Sequence, residues 1–442
     1  MTSRMQSLKS RFHTVEFFLA TLLVFPAAAG ADTSSTTSAR LDSTSGLAEY
    51  VTYAMAQNPF LRSFADRFEA AREVPSQARA LPDPMLAVGV FASSPETRVG
   101  PQEGALMVSQ RLPFFGKLSL RGQIADKDAD IWGQTYEEKA LDLVRDVKRA
   151  YYEYYRVHEI IDVTEKEKAV IRQMQNVAQV KYASALVGQQ DVLKAQLALS
   201  NLDDRLTSLR RDLVTVTARL NELLNRDPGA PLAVPRVRSE GFDLENLDSL
   251  YELALSKRPE VAAADLSIER SERSRSLAKK QYYPDLTLGF SYVTVDQRPV
   301  TNLEDNGKDA ILFSASINIP IWYQKLGAAV RESEARISMA KHRRQGIETR
   351  IRNEVQDARS RVQAARDLVN LYANVILPQA EQTFRASEAG YQTGRVDFLD
   401  YLDSERSLLA FRQTYFVLVA DLGRQYADFE RTLGVKTAGV NR

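Results

Sequence analysis

Apolar residues recur along four long stretches of the chain at alternating steps of three and four. One stretch carries Ala140, Val144, Val147, Tyr151, Tyr154, His158 and Ile161, and the next carries Leu199, Leu202, Leu206, Leu209, Leu213, Val216, Leu220 and Leu223. Two more follow: Ile347, Ile351, Val355, Ala358, Val362, Ala365, Val369, Tyr372 and Ile376, then Leu408, Phe411, Tyr415, Leu418, Leu422, Tyr426, Phe429 and Leu433. Such steps form the heptad seam of helices packed side by side. They predict long helices over about 118–182, 189–225, 325–390 and 397–433. At ~1.5 Å per residue the first would reach ~90 Å, several times an ordinary globular helix. A helix of that length needs neighbours along its whole extent. Pro378 falls inside the third and predicts a kink there.

Between these stretches the period changes to two. Ile311, Phe313, Ala315, Ile317 and Ile319 alternate with Leu312, Ser314, Ser316 and Asn318; Leu286, Leu288, Phe290 and Tyr292 alternate with Thr287, Gly289 and Ser291. This marks strands with one apolar face and one small or polar face. Strands are predicted at about 84–92, 104–112, 285–295 and 310–319. Runs of this length cross a bilayer as tilted strands. Four strands do not close a barrel, and an open sheet edge in lipid leaves backbone groups without partners. The pattern therefore predicts an oligomer.

The chain also repeats itself. Leu47 to Pro59 matches Leu247 to Pro259, and Leu81-Pro82-Asp83 matches Tyr283-Pro284-Asp285. Leu112-Pro113-Phe114-Phe115 matches Ile319-Pro320-Ile321-Trp322, and Lys181-Tyr182-Ala183-Ser184-Ala185 matches Gly390-Tyr391-Gln392-Thr393-Gly394. Asp191-Val192-Leu193 then lines up with Asp400-Tyr401-Leu402. A helix–strand–strand–helix unit is thus expected twice, over 47–227 and 242–434, with a Pro/Gly-rich linker at 228–241 and tails at 32–46 and 435–442.

Composition narrows the function. Lys plus Arg number 58 against 57 Asp plus Glu, a net of +1 that argues against a nucleic-acid partner. The chain has no cysteine, which excludes disulfides, thiolate metal sites and a lipid on an N-terminal cysteine. Residues 1–31 read as a secretory signal: Arg4, Lys9 and Arg11 precede the short apolar run from Leu19 to Ala29 and the small residues Ala29-Gly30-Ala31. That run is too short to span a bilayer as a helix.

Signal, duplicated halves, element order and tyrosine-marked turns resemble the TolC-like outer-membrane efflux proteins over essentially the whole mature chain. Leu81-Pro82-Asp83-Pro84-Met85, the stretch from Ser109 to Lys117 and that from Gln189 to Gln196 look closest to the heavy-metal branch. The resemblance implies a mainly α protein with a membrane β-barrel. Three copies would form a twelve-strand barrel continued by a long α-helical coiled-coil barrel. It further implies an outer-membrane location with a large periplasmic part. The implied activity is that of a passive gated duct coupled to a periplasmic adaptor and an inner-membrane pump of the resistance–nodulation–division type. Metal cations or drugs are the implied cargo.

By the same resemblance, Asp400 and Asp403 carry gate carboxylates that form rings in a three-fold assembly. Their counterparts in the first half are Asp191 and Lys194, and Lys194 is expected to pair across the constriction in the closed state. A simpler reading of these acids is a first helical turn whose charge offsets the helix dipole, and Asp397 with Asp400 is spaced like a capping box. The adaptor-contact tips would hold Tyr182, Ala185, Gly188, Tyr391, Gly394 and Asp397. Ala185 stands where the family pattern and the second half have glycine. Gln110, Arg111, Asn318, Trp322 and Tyr323 lie at the strand ends, where Trp and Tyr suit a membrane boundary.

No catalytic constellation, cofactor motif or metal site is expected. His13 belongs to the signal, His158 to a heptad seam and His342 to a basic turn, and Gly116-Lys117 lacks the upstream glycine of a phosphate loop. Two rival readings are a duct for type I protein secretion and a soluble periplasmic coiled-coil protein.

Overall fold

Two short helices, α1 (Leu47–Gln57) and α2 (Pro59–Arg79), lead into a hairpin of β1 (Met85–Val90) and β3 (Gly100–Leu112), with the two-residue β2 (Glu96–Thr97) in its loop. Two long helices follow, α3 (Lys117–Ala183) and α4 (Gln189–Leu223). The same order then recurs: α5 (Leu247–Lys257), α6 (Pro259–Lys280), β4 (Leu286–Val295), β5 (Ala310–Ile317), α7 (Tyr323–Leu371), α8 (Leu377–Gln392) and α9 (Phe398–Leu433). These elements come from a computed structural model of the protein, which describes residues 41, 45–236, 244 and 246–436. The signal segment and parts of the linker and both tails lie outside the described residues.

The helices are long because their seams are continuous. On α3 the buried side chains run Ala140, Val144, Val147, Tyr151 and Tyr154, as the period predicts. The seam then passes through Val157 and Ile160 rather than His158 and Ile161, and continues through Thr164, Glu167, Ile171, Met174 and Ala178. Three successive steps of three, where the heptad would place three, four and three, drop one residue from the repeat, which overwinds the seam locally and turns His158 to its flank. His158 is half-buried, with its ring 6.2 Å from that of Tyr154. Pro378, where a kink is expected, sits beside a break in the regular α pattern. It follows a π turn over Tyr372–Ile376, flanked by residues in right-handed helical geometry, so a widened turn absorbs the hydrogen bond that proline cannot donate.

The core shows the repeat in three dimensions. Tyr50, Ala54 and Leu61 pack with Leu220 and Leu224 against α3, while Leu250, Ala254 and Val261 pack with Phe429 and Leu433 against α7. Polar ties join the halves. Lys148 on α3 pairs with Glu430 on α9, both nearly fully buried. Arg431 reaches Asp142 at 2.9 Å and Glu260 at 2.7 Å. Gly423 on α9 lies where any side chain would strike the ring of Tyr152, so its absence lets α3 and α9 approach closely.

The sheet is antiparallel, in the order β1-β3-β4-β5, and the β3–β4 pairing joins the two halves. Directly opposed residues share a face. The register sets Leu86, Val108, Phe290 and Phe313 in one row, and Val88, Leu106, Tyr292 and Ile311 in the next. The other face carries rows such as Met85, Ser109, Gly289 and Ser314. One face is thus apolar and the other mostly small or polar. Every residue of β1 and β5, the two outer strands, is exposed. No helix among the described residues is long and apolar enough to cross a membrane.

Candidate functional site

The far ends of the long helices from both halves come together in one apolar cluster. Ile171, Met174 and Ala178 of α3 and Ala195 and Ala198 of α4 pack with Tyr391, Phe398, Tyr401 and Leu402 from α8, the following turn and α9. Tyr401 stacks between Phe384 and Tyr391 at ring separations of 5.7 and 5.4 Å. The mixed cluster, drawn from both halves, sets the two turns, 184–188 and 393–397, beside each other.

The turns share one backbone design. Leu186 N–H donates to the Lys181 carbonyl and Ala185 N–H to that of Tyr182, both at 2.9 Å; Arg395 and Gly394 donate in the same way to Gly390 and Tyr391. These are the paired bonds of a helix C-terminus closed by a left-handed residue. That residue is Gly394, with φ 76°, in the second turn and Ala185, with φ 56°, in the first. Alanine therefore adopts the conformation that its sequence position demands. The next helix starts differ. Asp397 caps α9 by accepting the Asp400 N–H at 2.8 Å, whereas Gly188 offers α4 no side-chain cap.

Asp400 and Asp403 lie on the first turns of α9, both exposed. Neither carboxylate has a hydrogen bond or ion pair among the described residues. Asp191 and Lys194 occupy the matching turns of α4 and are half-buried. Burial raises the Asp191 carboxyl above its ordinary range, and the Asp397 charge on the neighbouring turn adds to this, while Lys194 and Lys181 oppose it. The two tips thus lie within electrostatic reach of each other.

The cation that joins them within the chain is Lys181. Its ammonium donates to the Tyr391 carbonyl and sits 4.2 Å from the centre of the Tyr391 ring. Tyr391 is buried, whereas its repeat partner Tyr182 is 46% exposed, so the paired tyrosines are not equivalent. Lys181 carries no heptad or motif signal in the sequence. The available signal was the mismatch at its repeat position, where the second half has Gly390. Two further carboxylates, Glu167 and Glu405, are buried in the helices that lead to the tips, and a single acid within a seam leaves no mark on its period.

At the opposite end of the helices, the segment from Ser109 to Lys117 meets Tyr283-Pro284-Asp285. Asp285 accepts from Lys117 Nζ at 2.7 Å, from Arg111 at 2.7 Å and from the Phe114 N–H at 2.9 Å, while Phe114 stacks on Tyr283 at 4.6 Å. Asn318 accepts the Asp285 N–H, and Gln110 donates to the Pro82 carbonyl. Trp322 and Tyr323 remain exposed. Among the described residues no group of side chains is arranged to hold a metal ion.

Comparison with known proteins matches both halves separately. The pattern of the family described as "Outer membrane efflux protein" covers residues 51–226 and 250–435. The chain is 22% identical to the cobalt-zinc-cadmium resistance protein CzcC of Cupriavidus metallidurans, over 83% of this chain and 85% of that one. It is 23% identical to the outer membrane protein TolC of Vibrio cholerae, over 82% and 84%. The crystal structure of VceC, an outer membrane protein of Vibrio cholerae, superposes with a TM-score of 0.71 at 21% identity, over 88% of this chain and 96% of that one. With both repeat units matched and the fold shared along nearly its whole length, the chain belongs to the outer membrane efflux protein family.

Proposed function

We propose that this outer-membrane transport protein is the duct of a tripartite efflux assembly. Three copies close a twelve-strand barrel that the long helices continue into the periplasm. The helix tips meet a periplasmic adaptor, which links the duct to an inner-membrane pump of the resistance–nodulation–division type. The observation that carries this reading is the pair of exposed outer strands, whose apolar row continues that of the strands between them. In lipid, each unpartnered backbone group on those edges would cost several kcal/mol. Closure with further copies removes the edges. Cation export is supported by the similarity to a cobalt-zinc-cadmium resistance protein.

In this reading Asp400 and Asp403 line the closed end, where rings of carboxylate favour cations. Asp191 and Lys194 face them from the other tip, Lys194 pairing across the constriction. Adaptor contact falls to the exposed Tyr182, Ala185, Gly188, Gly394 and Asp397, while Tyr391, buried, supports the second turn from within. The test is conductance in a planar bilayer. Asp400→Asn with Asp403→Asn should lower cation over anion permeability, and Lys194→Glu should raise the resting leak. Unchanged selectivity and leak in both variants would overturn the gate assignment.

A further inference from the structure

The two hairpins have the same register. Leu86 faces Val108 and Val88 faces Leu106 in the first; Leu288 faces Ala315 and Phe290 faces Phe313 in the second. Leading strands therefore correspond as Leu86 to Leu288 and Val88 to Phe290, and trailing strands as Val108 to Ala315 and Leu106 to Phe313. Asp83 then corresponds to Asp285, as the sequence repeat requires.

The chain contains one seam between a trailing and a leading strand, β3 against β4, in which Val108 faces Phe290, Gln110 faces Leu288 and Leu106 faces Tyr292. The unpartnered edges are the other trailing strand, β5, and the other leading strand, β1. Carrying the β3–β4 register onto those edges gives one alignment. We infer that β5 pairs antiparallel with β1 of the next copy, with Ala315 opposite Val88, Ile317 opposite Leu86 and Phe313 opposite Val90. This rests on the oligomeric reading above and adds the register of the seam.

An independent feature agrees with it. Phe313, Ala315 and Ile317 lie on the apolar face of the sheet, and so do Leu86, Val88 and Val90. The inferred alignment continues that face across the seam. A slip of one residue would set Val88 beside Ser314 or Ser316 and turn the apolar row inward. A slip of two would keep the faces but break the correspondence between the two kinds of seam.

The chain has no cysteine, so introduced thiols report without background. Directly opposed residues bring their Cα atoms within disulfide range, and residues displaced by two do not. In full-length protein in outer membranes, oxidation of the paired variants Ala315→Cys/Val88→Cys and Ser316→Cys/Ala87→Cys should shift the monomer band to reductant-sensitive dimers and larger species. Two neighbouring pairs are used because bonded and non-bonded positions alternate along the ladder. The displaced pairs Ala315→Cys/Leu86→Cys and Ala315→Cys/Val90→Cys should stay monomeric. Bridging in a displaced pair, or in no pair while an amine-reactive cross-linker still yields oligomers, would overturn the register and leave the assembly intact. Monomers under every reagent would overturn the assembly reading as well.

Discussion

Ala185 holds its backbone at φ 56°, a region where an L side chain crowds its own carbonyl at a cost of about 1–2 kcal/mol. Gly394 takes the same conformation freely, and a side chain added there would meet nothing within 4 Å. At this one position the two turns differ by conformational strain. Ala185→Gly should stabilise the first turn by about 1 kcal/mol, slowing hydrogen exchange of the Leu186 amide about fivefold. Gly394→Ala should speed exchange at Arg395 by a similar factor. Glu167 presents the opposite case, a charge in an apolar seam. Burial pushes its carboxyl up to about 7, and Arg412, 4.0 Å away, compensates only partly. A raised carboxyl leaves stability intact below the ordinary value of 4.5 and removes it as pH climbs through 7. Glu167→Gln should thus match the parent near pH 4.5 and exceed it by about 2 kcal/mol at pH 8, measured by thermal unfolding at both pH values.

At the scale of elements, the junction between sheet and helices depends on one carboxylate. Asp285 precedes β4, Lys117 opens α3, and both side chains are almost completely buried. Lys117→Met would leave Asp285 with the largely exposed Arg111 and should cost about 3 kcal/mol. Adding Asp285→Asn should recover part of that, since the uncompensated charge is gone; denaturant unfolding of the three variants tests the pairing. The first-half counterpart, Asp83, is exposed. The motifs around Lys117 and Asp285 were visible in the sequence as repeated landmarks, but their contact was not, because 168 residues separate them. The helices themselves were plainly legible. The first was expected over 118–182 and runs Lys117–Ala183, since a seam sustained over so many turns overrides local propensity. The one-residue skip near His158 and the π turn before Pro378 were less visible, because each depends on which neighbour the helix meets at that height.

At the scale of the whole molecule, the repeat is the organising fact. It appears as sequence landmarks, as equivalent core clusters, as equal hairpin registers and as two separately matched segments. The repeat also explains why the halves join where they do: the β3–β4 pairing, the buried Lys148–Glu430 pair and the Arg431–Asp142 pair each link one half to the other. The sequence by itself determined the long helices and the four main strands, their order, their faces and their duplication, because periodicity is a local property that each segment carries alone; it did not determine the helices Pro59–Arg79 and Pro259–Lys280. It also marked the acids at the helix starts. Only the tertiary structure decided that Lys181, and not another cation, ties the tips within the chain. The same holds for the burial of Tyr391 beside an exposed Tyr182, and for the meeting of Lys117 with Asp285. Those outcomes depend on which distant surfaces pack together, and packing depends on shape and charge contributed by segments far apart in the chain.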